Sequence, residues 1–152
     1  MRQKLIFMGS DSIALPALNA ILDGSCGSID LSAVYTQPDK PRGRGKRIEA
    51  NAIKLWAREN GVPVFQPNRV DQSVRHEIEA INADAILVMA YGHLLSQALI
   101  DTPPLGIWNL HTSILPRYRG ASPIQSAIAS GDLETGVSFM KVVKEMDAGP
   151  VL

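Results

Sequence analysis

An amide and an imidazole stand two positions apart near the end of an apolar run, at Asn109 and His111. Successive side chains of a strand point to opposite faces, so a strand here projects both groups from one face, and Trp108 and Leu110 from the other. An amide donor beside a group that can carry a proton is suited to stabilising an oxyanion on a tetrahedral carbon. The spacing therefore indicates acyl-group transfer.

Two segments around this pair resemble a known family. Residues 113–120 read Ser-Ile-Leu-Pro-Arg-Tyr-Arg-Gly and resemble the Ser-Leu-Leu-Pro-Lys/Arg-x-Arg-Gly signature of the folate-dependent formyltransferases, in which an Asn-x-His precedes it. Residues 146–152 resemble the family's Leu/Met-Asp-x-Gly-x-x-Leu loop, which supplies a third catalytic residue. The resemblance implies catalytic roles for Asn109, His111 and Asp147. Whether Asp147 orients the imidazole or takes the proton released by an attacking amine stays open at this point.

The resemblance also implies where the formyl donor, 10-formyltetrahydrofolate, is held. Its pterin ring is expected to lie against apolar walls, with backbone groups reading its edge. The implied folate-binding residues fall in two short segments and are Met89, Ala90, Tyr91, Gly92, Ser113, Ile114, Leu115 and Pro116. The sequence departs from the family at Thr112, where glycine or proline is frequent, and at Ile114, where leucine is usual.

A basic segment narrows the resemblance to the members that act on tRNA. Residues 36–46 read Thr-Gln-Pro-Asp-Lys-Pro-Arg-Gly-Arg-Gly-Lys and resemble the loop that enters the acceptor end of the tRNA in those members. The resemblance implies that Arg42, Arg44 and Lys46 contact phosphates of initiator methionyl-tRNA, and such contacts weaken with salt. Charge runs are also common in solvated surface loops, so the residues alone leave that reading open.

Composition limits the classes of protein to which this sequence can belong. The 152 residues are 45% hydrophobic, which is enough for one sizeable core, and they carry 15 basic and 15 acidic side chains. A net charge of zero argues against a protein that coats nucleic acid with its whole surface, so any tRNA contact should be local. A single cysteine, Cys26, excludes an intrachain disulfide and is natural in a reducing compartment. No apolar stretch is long enough to span a bilayer, and we expect a cytoplasmic, monomeric protein.

Strands and helices alternate along the predicted fold. Strands are predicted at residues 4–8, 32–37, 62–66, 85–90, 107–111 and 136–143, and helices at residues 12–23, 49–60, 71–82, 94–100 and 122–130, with Ser12, Asp71 and Ser122 as N-caps. This pattern predicts an α/β fold with an open, mostly parallel twisted sheet and helices on both faces. The resemblance implies that it is the Rossmann-like formyltransferase fold. The continuous apolar run at 85–90 belongs mid-sheet. Residues 90–92, 109–113 and 145–149 should meet at one rim, beyond the strand ends.

The residues also bear on other kinds of site and on other functions. Neither a phosphate-binding glycine loop nor a dinucleotide-binding Gly-x-Gly-x-x-Gly is present, and His111 and Asp147 lack a third ligand, so no metal is expected. His76 is expected on a solvated helix, and His93 near the ligand at the rim. Other acceptors, glycinamide ribonucleotide or an amino sugar nucleotide, remain alternatives, as does a non-catalytic folate- or RNA-binding fragment. Because the sequence stops soon after Asp147, we expect residues 1–152 to be a catalytic domain truncated at its C-terminal end, without the family's barrel-like second domain.

Overall fold

The computed structural model describes residues 2–42 and 47–152. Within these ranges the strands are β1 (Gln3–Gly9), β2 (Ile29–Tyr35), β3 (Lys40–Arg42), β4 (Arg47–Glu49), β5 (Val64–Phe65), β6 (Ala85–Met89), β7 (Ile107–His111) and β8 (Ser138–Lys141). Six of them form one sheet in the order β5-β2-β1-β6-β7-β8, and β3 pairs with β4 in a separate antiparallel hairpin. The neighbours from β5 to β7 are parallel, which confirms the predicted mostly parallel sheet with residues 85–90 in its middle.

Helices cover both faces of this sheet. They are α1 (Leu15–Leu22), α2 (Ala52–Glu59), α3 (Gln72–Ile81), α4 (Gln97–Ile100) and α5 (Pro123–Ala129), and a 3-10 turn at Ser12–Ala14 precedes α1. None of the helices in the described ranges has both the length and the apolar character needed to cross a membrane.

The alternation of side chains along β1 divides the core into two parts. Ile6 and Met8 are fully buried on one face, where Val74 and Ile78 of α3 pack. Phe7 is fully buried on the opposite face, against α1 and α2. Helices cover both faces of the sheet, so the side chains of β1 are apolar on both faces and do not alternate with polar ones. This is typical of parallel strands.

Some predicted helix boundaries and caps are wrong. The carboxylate of Asp11, and not the hydroxyl of Ser12, accepts the first free amide of the 3-10 turn. Residue 49 belongs to β4, and α2 starts at Ala52 because Asn51 caps it. Asp71 caps α3 as predicted, whereas Ser122 precedes α5 without a side-chain cap bond. Of the three predicted caps, Asp71 is confirmed, Ser12 is replaced by its neighbour Asp11, and Ser122 makes no cap bond.

β8 runs antiparallel to β7, with Ser138 opposite His111 and Lys141 opposite Trp108. The rule that carboxyl ends of parallel strands share an edge therefore does not apply to residues 145–149. Asp147 comes near His111 by another path: the chain turns back after β8, and Val151 pairs with Met140 in an isolated antiparallel bridge. The predicted meeting of the two residues is observed, but the reason given for it from the sequence is wrong.

Candidate active site

A cavity of about 850 Å³ lies beside the carboxyl ends of β6 and β7. Of the residues singled out from the sequence, those that line it are Ala90, Tyr91, Gly92, His93, Asn109, His111, Thr112 and Asp147. Apolar side chains, including Val88, Ile100 and Val142, form much of the rest of its wall. A mostly apolar wall with a few convergent polar groups is typical of a small-molecule site, and the volume lies in the usual range of about 300–1,000 Å³.

His111 is only 6% exposed, and both of its ring nitrogens face acceptors. Nε2 lies 2.9 Å from the carbonyl oxygen of Tyr118. A carbonyl can only accept, so Nε2 carries the hydrogen and donates it. Nδ1 lies 3.7 Å from Oδ2 of Asp147, which is too long for a hydrogen bond but close enough for a strong charge–charge interaction. The ring is therefore anchored through Nε2, while Nδ1 faces the Asp147 carboxylate without a hydrogen bond to it.

Asp147 is held in place by the loop that follows β7. Its Oδ2 accepts a 2.7 Å hydrogen bond from the backbone amide of Gly120, and its side chain is largely buried. The negative charge is thus fixed beside the imidazole and stabilises positive charge that forms on the ring.

Asn109 lies on β7 between two neighbouring strands, where its backbone pairs with Val88 of β6 and Met140 of β8. Neighbours on both sides fix the direction of its side chain, which lines the cavity. Within the described residues no protein group forms a hydrogen bond with its side-chain amide, which leaves it available to a ligand. The two-residue spacing thus delivers Asn109 and His111 to one cavity.

Three residues at the site have left-handed backbone conformations that are unusual without glycine. They are Ala90 (φ 51°), Tyr118 (φ 55°) and Asp147 (φ 49°). Such conformations cost of order 1–3 kcal/mol each and persist only where surrounding contacts hold them. Ala90 is held by its carbonyl, which accepts the amide of Ser10 at 3.0 Å. Strain is therefore concentrated around the cavity, as is common at functional sites.

The other residues of the predicted folate site lie outside the cavity lining. Met89 is buried on the opposite face of the sheet, against Phe7. The Oγ of Ser113 donates to the carbonyl of Arg117 at 2.6 Å, and its own carbonyl accepts from Ser138 Oγ at 2.7 Å. The amide of Leu115 donates to the same Ser138 oxygen at 3.0 Å. This loop, with its exposed Ile114 and a cis bond before Pro116, braces β7 and β8, and its contact with folate stays a prediction.

Tyr91 and His93 line the cavity, and each has a buried polar atom with no hydrogen-bond partner among the described residues, the hydroxyl of Tyr91 and Nε2 of His93. Burial raises the pKa of Tyr91 to about 12. Burial, with a smaller contribution from Lys40, lowers the pKa of His93. Unpaired buried polar groups are rare in folded proteins, so these two atoms are candidates for contact with a ligand. The sequence pointed to His93 only by its position after Ala-Tyr-Gly.

A polar network joins the rim of the cavity to the base of the basic hairpin, and sequence reasoning missed it. The side-chain amide of Gln37 donates to the carbonyls of Tyr91 and Gly92, each at 3.1 Å. Ser10 Oγ donates to the Tyr91 carbonyl at 3.0 Å and accepts from the Gln37 backbone amide. The hairpin therefore starts from residues that also fix the 90–92 loop.

The hairpin itself was predicted only as a basic loop. Lys40 pairs with Glu49, and Arg42 with Arg47, in antiparallel register. Arg44 and Lys46 lie outside the described residues, as does the side chain of Arg42. Their contact with tRNA stays a prediction.

In residues 2–42 and 47–152, no three His, Cys, Asp or Glu side chains are grouped so that they could hold a metal ion. Among the residues that line the cavity, His111 and Asp147 are the foremost acid–base groups.

A family model described as formyl transferase matches residues 3–152. The chain belongs to the formyltransferase family. It is similar to the methionyl-tRNA formyltransferases of Akkermansia muciniphila (46% identical over 150 residues), Kosmotoga olearia (42% over 149) and Gluconobacter oxydans (46% over 151). These matches cover 97–98% of this formyltransferase chain but 46–49% of the relatives, so the chain spans about half of their length.

Solved structures show the same fold. A glycinamide ribonucleotide transformylase from Geobacillus kaustophilus superimposes with a TM-score of 0.75 at 27% identity, over 100% of this formyltransferase chain and 80% of that one. A phosphoribosylglycinamide formyltransferase from Bacillus halodurans gives a TM-score of 0.78 at 20% identity, over 98% and 76% of the two chains. A formyltetrahydrofolate deformylase from Pseudomonas syringae gives 0.74 at 18%, over 99% and 49%.

Proposed function

We propose that this chain catalyses transfer of a formyl group from 10-formyltetrahydrofolate to the free amino group of initiator methionyl-tRNA. The observation that carries the proposal is the convergence of Asn109, His111 and Asp147 on one cavity of a formyltransferase. Relatives that are 42–46% identical and carry the name methionyl-tRNA formyltransferase support this acceptor over a small molecule.

The chemistry follows from the positions of the three side chains. As the amine attacks the formyl carbon, a C–N bond forms and the formyl oxygen gains negative charge. The side-chain amide of Asn109 and Nδ1 of His111 donate hydrogen bonds to this oxygen, and the charge of Asp147 stabilises the imidazolium. The carbon–nitrogen bond to the folate then breaks, the folate nitrogen takes up a proton, and the new amide loses the proton that the amine brought.

The walls of the cavity suit the reduced folate. Val88, Ile100 and Val142 offer apolar surface to the pterin ring, and the loop of residues 90–92 offers backbone groups to its edge. The unpaired hydroxyl of Tyr91 and the ring of His93 add polar groups on the same side. Gln37 and Ser10 hold this loop in place, so the folate side of the site is preorganised.

The acceptor end of the tRNA would approach from the side of the β3–β4 hairpin. Arg42, Arg44 and Lys46 would meet its phosphates and position it without reading its sequence. The relatives are about twice as long as this chain, which supports a catalytic domain that shares the tRNA with a second domain. Because charged initiator tRNA is used in the cytoplasm, the proposal places the enzyme there, acting as a monomer.

The direct test is formyl transfer from 10-formyltetrahydrofolate to methionyl initiator tRNA by this chain. His111→Ala should lower kcat by at least ~100-fold, the typical cost of removing one oxyanion donor. His76→Ala is the matched control, because His76 is exposed on α3. Turnover of glycinamide ribonucleotide or an amino sugar nucleotide without turnover of the tRNA would reject the proposed acceptor. Folate or tRNA binding with no transfer to any acceptor would indicate a binding protein.

A further inference from the structure

The loop after β7 provides one acceptor of the His111 ring and holds the carboxylate that faces the other nitrogen. Nε2 of His111 donates to the carbonyl of Tyr118 at 2.9 Å. Two residues later, the amide of Gly120 holds the carboxylate of Asp147 at 2.7 Å, and that carboxylate faces Nδ1. The position of residues 117–120 therefore sets the orientation of the imidazole at both nitrogens.

The carboxylate of Asp132 also holds this loop, from outside the cavity. Its Oδ2 accepts the hydroxyl of Tyr118 at 2.8 Å, and its Oδ1 accepts Nη2 of Arg117 at 2.8 Å. The same guanidinium nitrogen donates to the Tyr118 hydroxyl at 3.0 Å, which closes a triangle of three side chains. The Asp132 side chain is 14% exposed, so these bonds are partly shielded from water.

Tyr118 needs such a restraint more than most residues do. Its backbone is left-handed at φ 55°, a conformation that a bulky side chain adopts only when its surroundings impose it. If the hydroxyl is released, the residue can relax towards negative φ, and its carbonyl then turns away from His111. The ring hydroxyl and the backbone carbonyl of Tyr118 thus connect Asp132 to the imidazole.

We propose that Asp132 is a positioning residue for His111, acting through Tyr118. It does not line the cavity and is not expected to touch either substrate. Its role in formyl transfer rests on the proposed function, whereas its effect on the imidazole does not.

Two variants test the connection from Asp132 through Tyr118 to His111, one at Tyr118 and one at Asp132. Tyr118→Phe removes the hydroxyl but keeps the ring and the backbone carbonyl, and Asp132→Ala removes its acceptor. Glu134→Ala is the matched control, because Glu134 is an exposed acid two residues from Asp132. The first readout needs no substrate: the Nε2 proton of His111, protected by its bond to the Tyr118 carbonyl, should give a slowly exchanging imidazole NMR signal. Both variants should broaden or remove this signal, and Glu134→Ala should keep it.

The second readout is the kinetics of formyl transfer. Both variants should lower kcat by about 10-fold with KM for either substrate within about twofold of the parent, because the oxyanion donor is misplaced while the substrate contacts remain. The double variant should fall no further than the larger single effect, since both changes break one connection.

The outcomes separate this inference from the proposed function. A parent protein that keeps the imidazole signal but formylates no tRNA rejects the function and leaves the connection to be judged by NMR. Unchanged signal and unchanged kcat in Tyr118→Phe and Asp132→Ala overturn the inference. If Asp132→Ala does not fold, Tyr118→Phe and the milder Asp132→Asn decide it in the same way.

Discussion

Gly149 faces the backbone of Lys141 so closely that a β-carbon built on it would lie 1.8 Å from the Lys141 carbonyl oxygen. Lys141 is the last residue of β8, and its backbone amide donates a 2.9 Å hydrogen bond to the carbonyl of Pro150. Gly149 stands two residues after Asp147. The contact therefore sets how closely the loop that carries the carboxylate approaches the sheet.

Gly149→Ala should destabilise the fold and weaken catalysis together. The backbone of Lys141 is part of the sheet and cannot yield as a side chain can, so overpacking should cost about 1–3 kcal/mol of unfolding free energy. Urea denaturation measures the loss, and kcat should fall because Asp147 moves away from His111. In the control Gly136→Ala, the new β-carbon meets the flexible Ile114 side chain at 3.2 Å and should cost less. Equal stability of the two variants would contradict the assignment of Gly149.

Asn109→Ala should lower kcat by about 100–1,000-fold and leave KM for both substrates nearly unchanged. The reason is that its amide is expected to bond an oxygen that becomes negative only in the transition state. Steady-state formylation kinetics measure this split. Asn68→Ala removes an exposed amide away from the cavity and should behave as the parent. A rise in KM with unchanged kcat would assign Asn109 to ground-state binding instead.

Tyr91→Phe should stabilise the protein, by about 1 kcal/mol, because it removes a buried hydroxyl that has no partner among the described residues. It should also change how the free energy of unfolding depends on pH in alkaline solution. The folded pKa of Tyr91 is raised to about 12 from 10, so above pH 10 the unfolded chain releases this proton while the folded one keeps it. Stability is thus lost as pH rises from about 10 to 12, and Phe removes that contribution.

Urea melts of Tyr91→Phe at pH 7 and pH 10.5 measure both effects. Tyr35→Phe is the control: burial first, and then Glu77, raise the pKa of Tyr35 as well, but its hydroxyl donates to Glu77 at 3.3 Å. Removing a partnered hydroxyl should not stabilise the protein. If Tyr91→Phe is destabilising at pH 7, its hydroxyl has a partner in solution.

Removing one positive charge from the basic hairpin should weaken tRNA binding and reduce the salt dependence of that binding. The three changes are Arg42→Gln, Arg44→Gln and Lys46→Gln. Removing one phosphate contact lowers the slope of log affinity against log salt by about 0.7–0.9. Filter binding of initiator tRNA across a salt series checks this, with folate affinity unchanged. Arg75→Gln, on α3 and paired with Glu79, is the control. Slopes equal to the parent's in all three variants would remove the hairpin from the tRNA interface.

The centre of the sheet could be predicted from sequence because β1 and β6 carry continuous apolar runs, which are typical of strands covered on both faces. The prediction failed for β8 because a strand of four residues carries too little pattern to fix its direction. The hairpin was missed because its strands, β3 and β4, have only three residues each and lack the alternation of a half-buried strand.

The Asn109–His111 pair was predictable because spacing along one strand determines which face each side chain takes. The partners of His111 were not all predictable. Asp147 was expected from a motif, whereas the Tyr118 carbonyl carries no signal in the side-chain sequence. A backbone acceptor is defined by its conformation alone, so only the structure could assign it.

The β3–β4 hairpin shares no hydrogen-bonded ladder with the main sheet within the described residues. Its base is attached through polar side chains such as Gln37, while the core of the sheet lies elsewhere. Insertions, deletions and charge changes in this arm can therefore accumulate without loss of foldability. Under the proposed function, the side of the site that faces the acceptor can therefore change without disturbing the packing of the strand that carries Asn109 and His111.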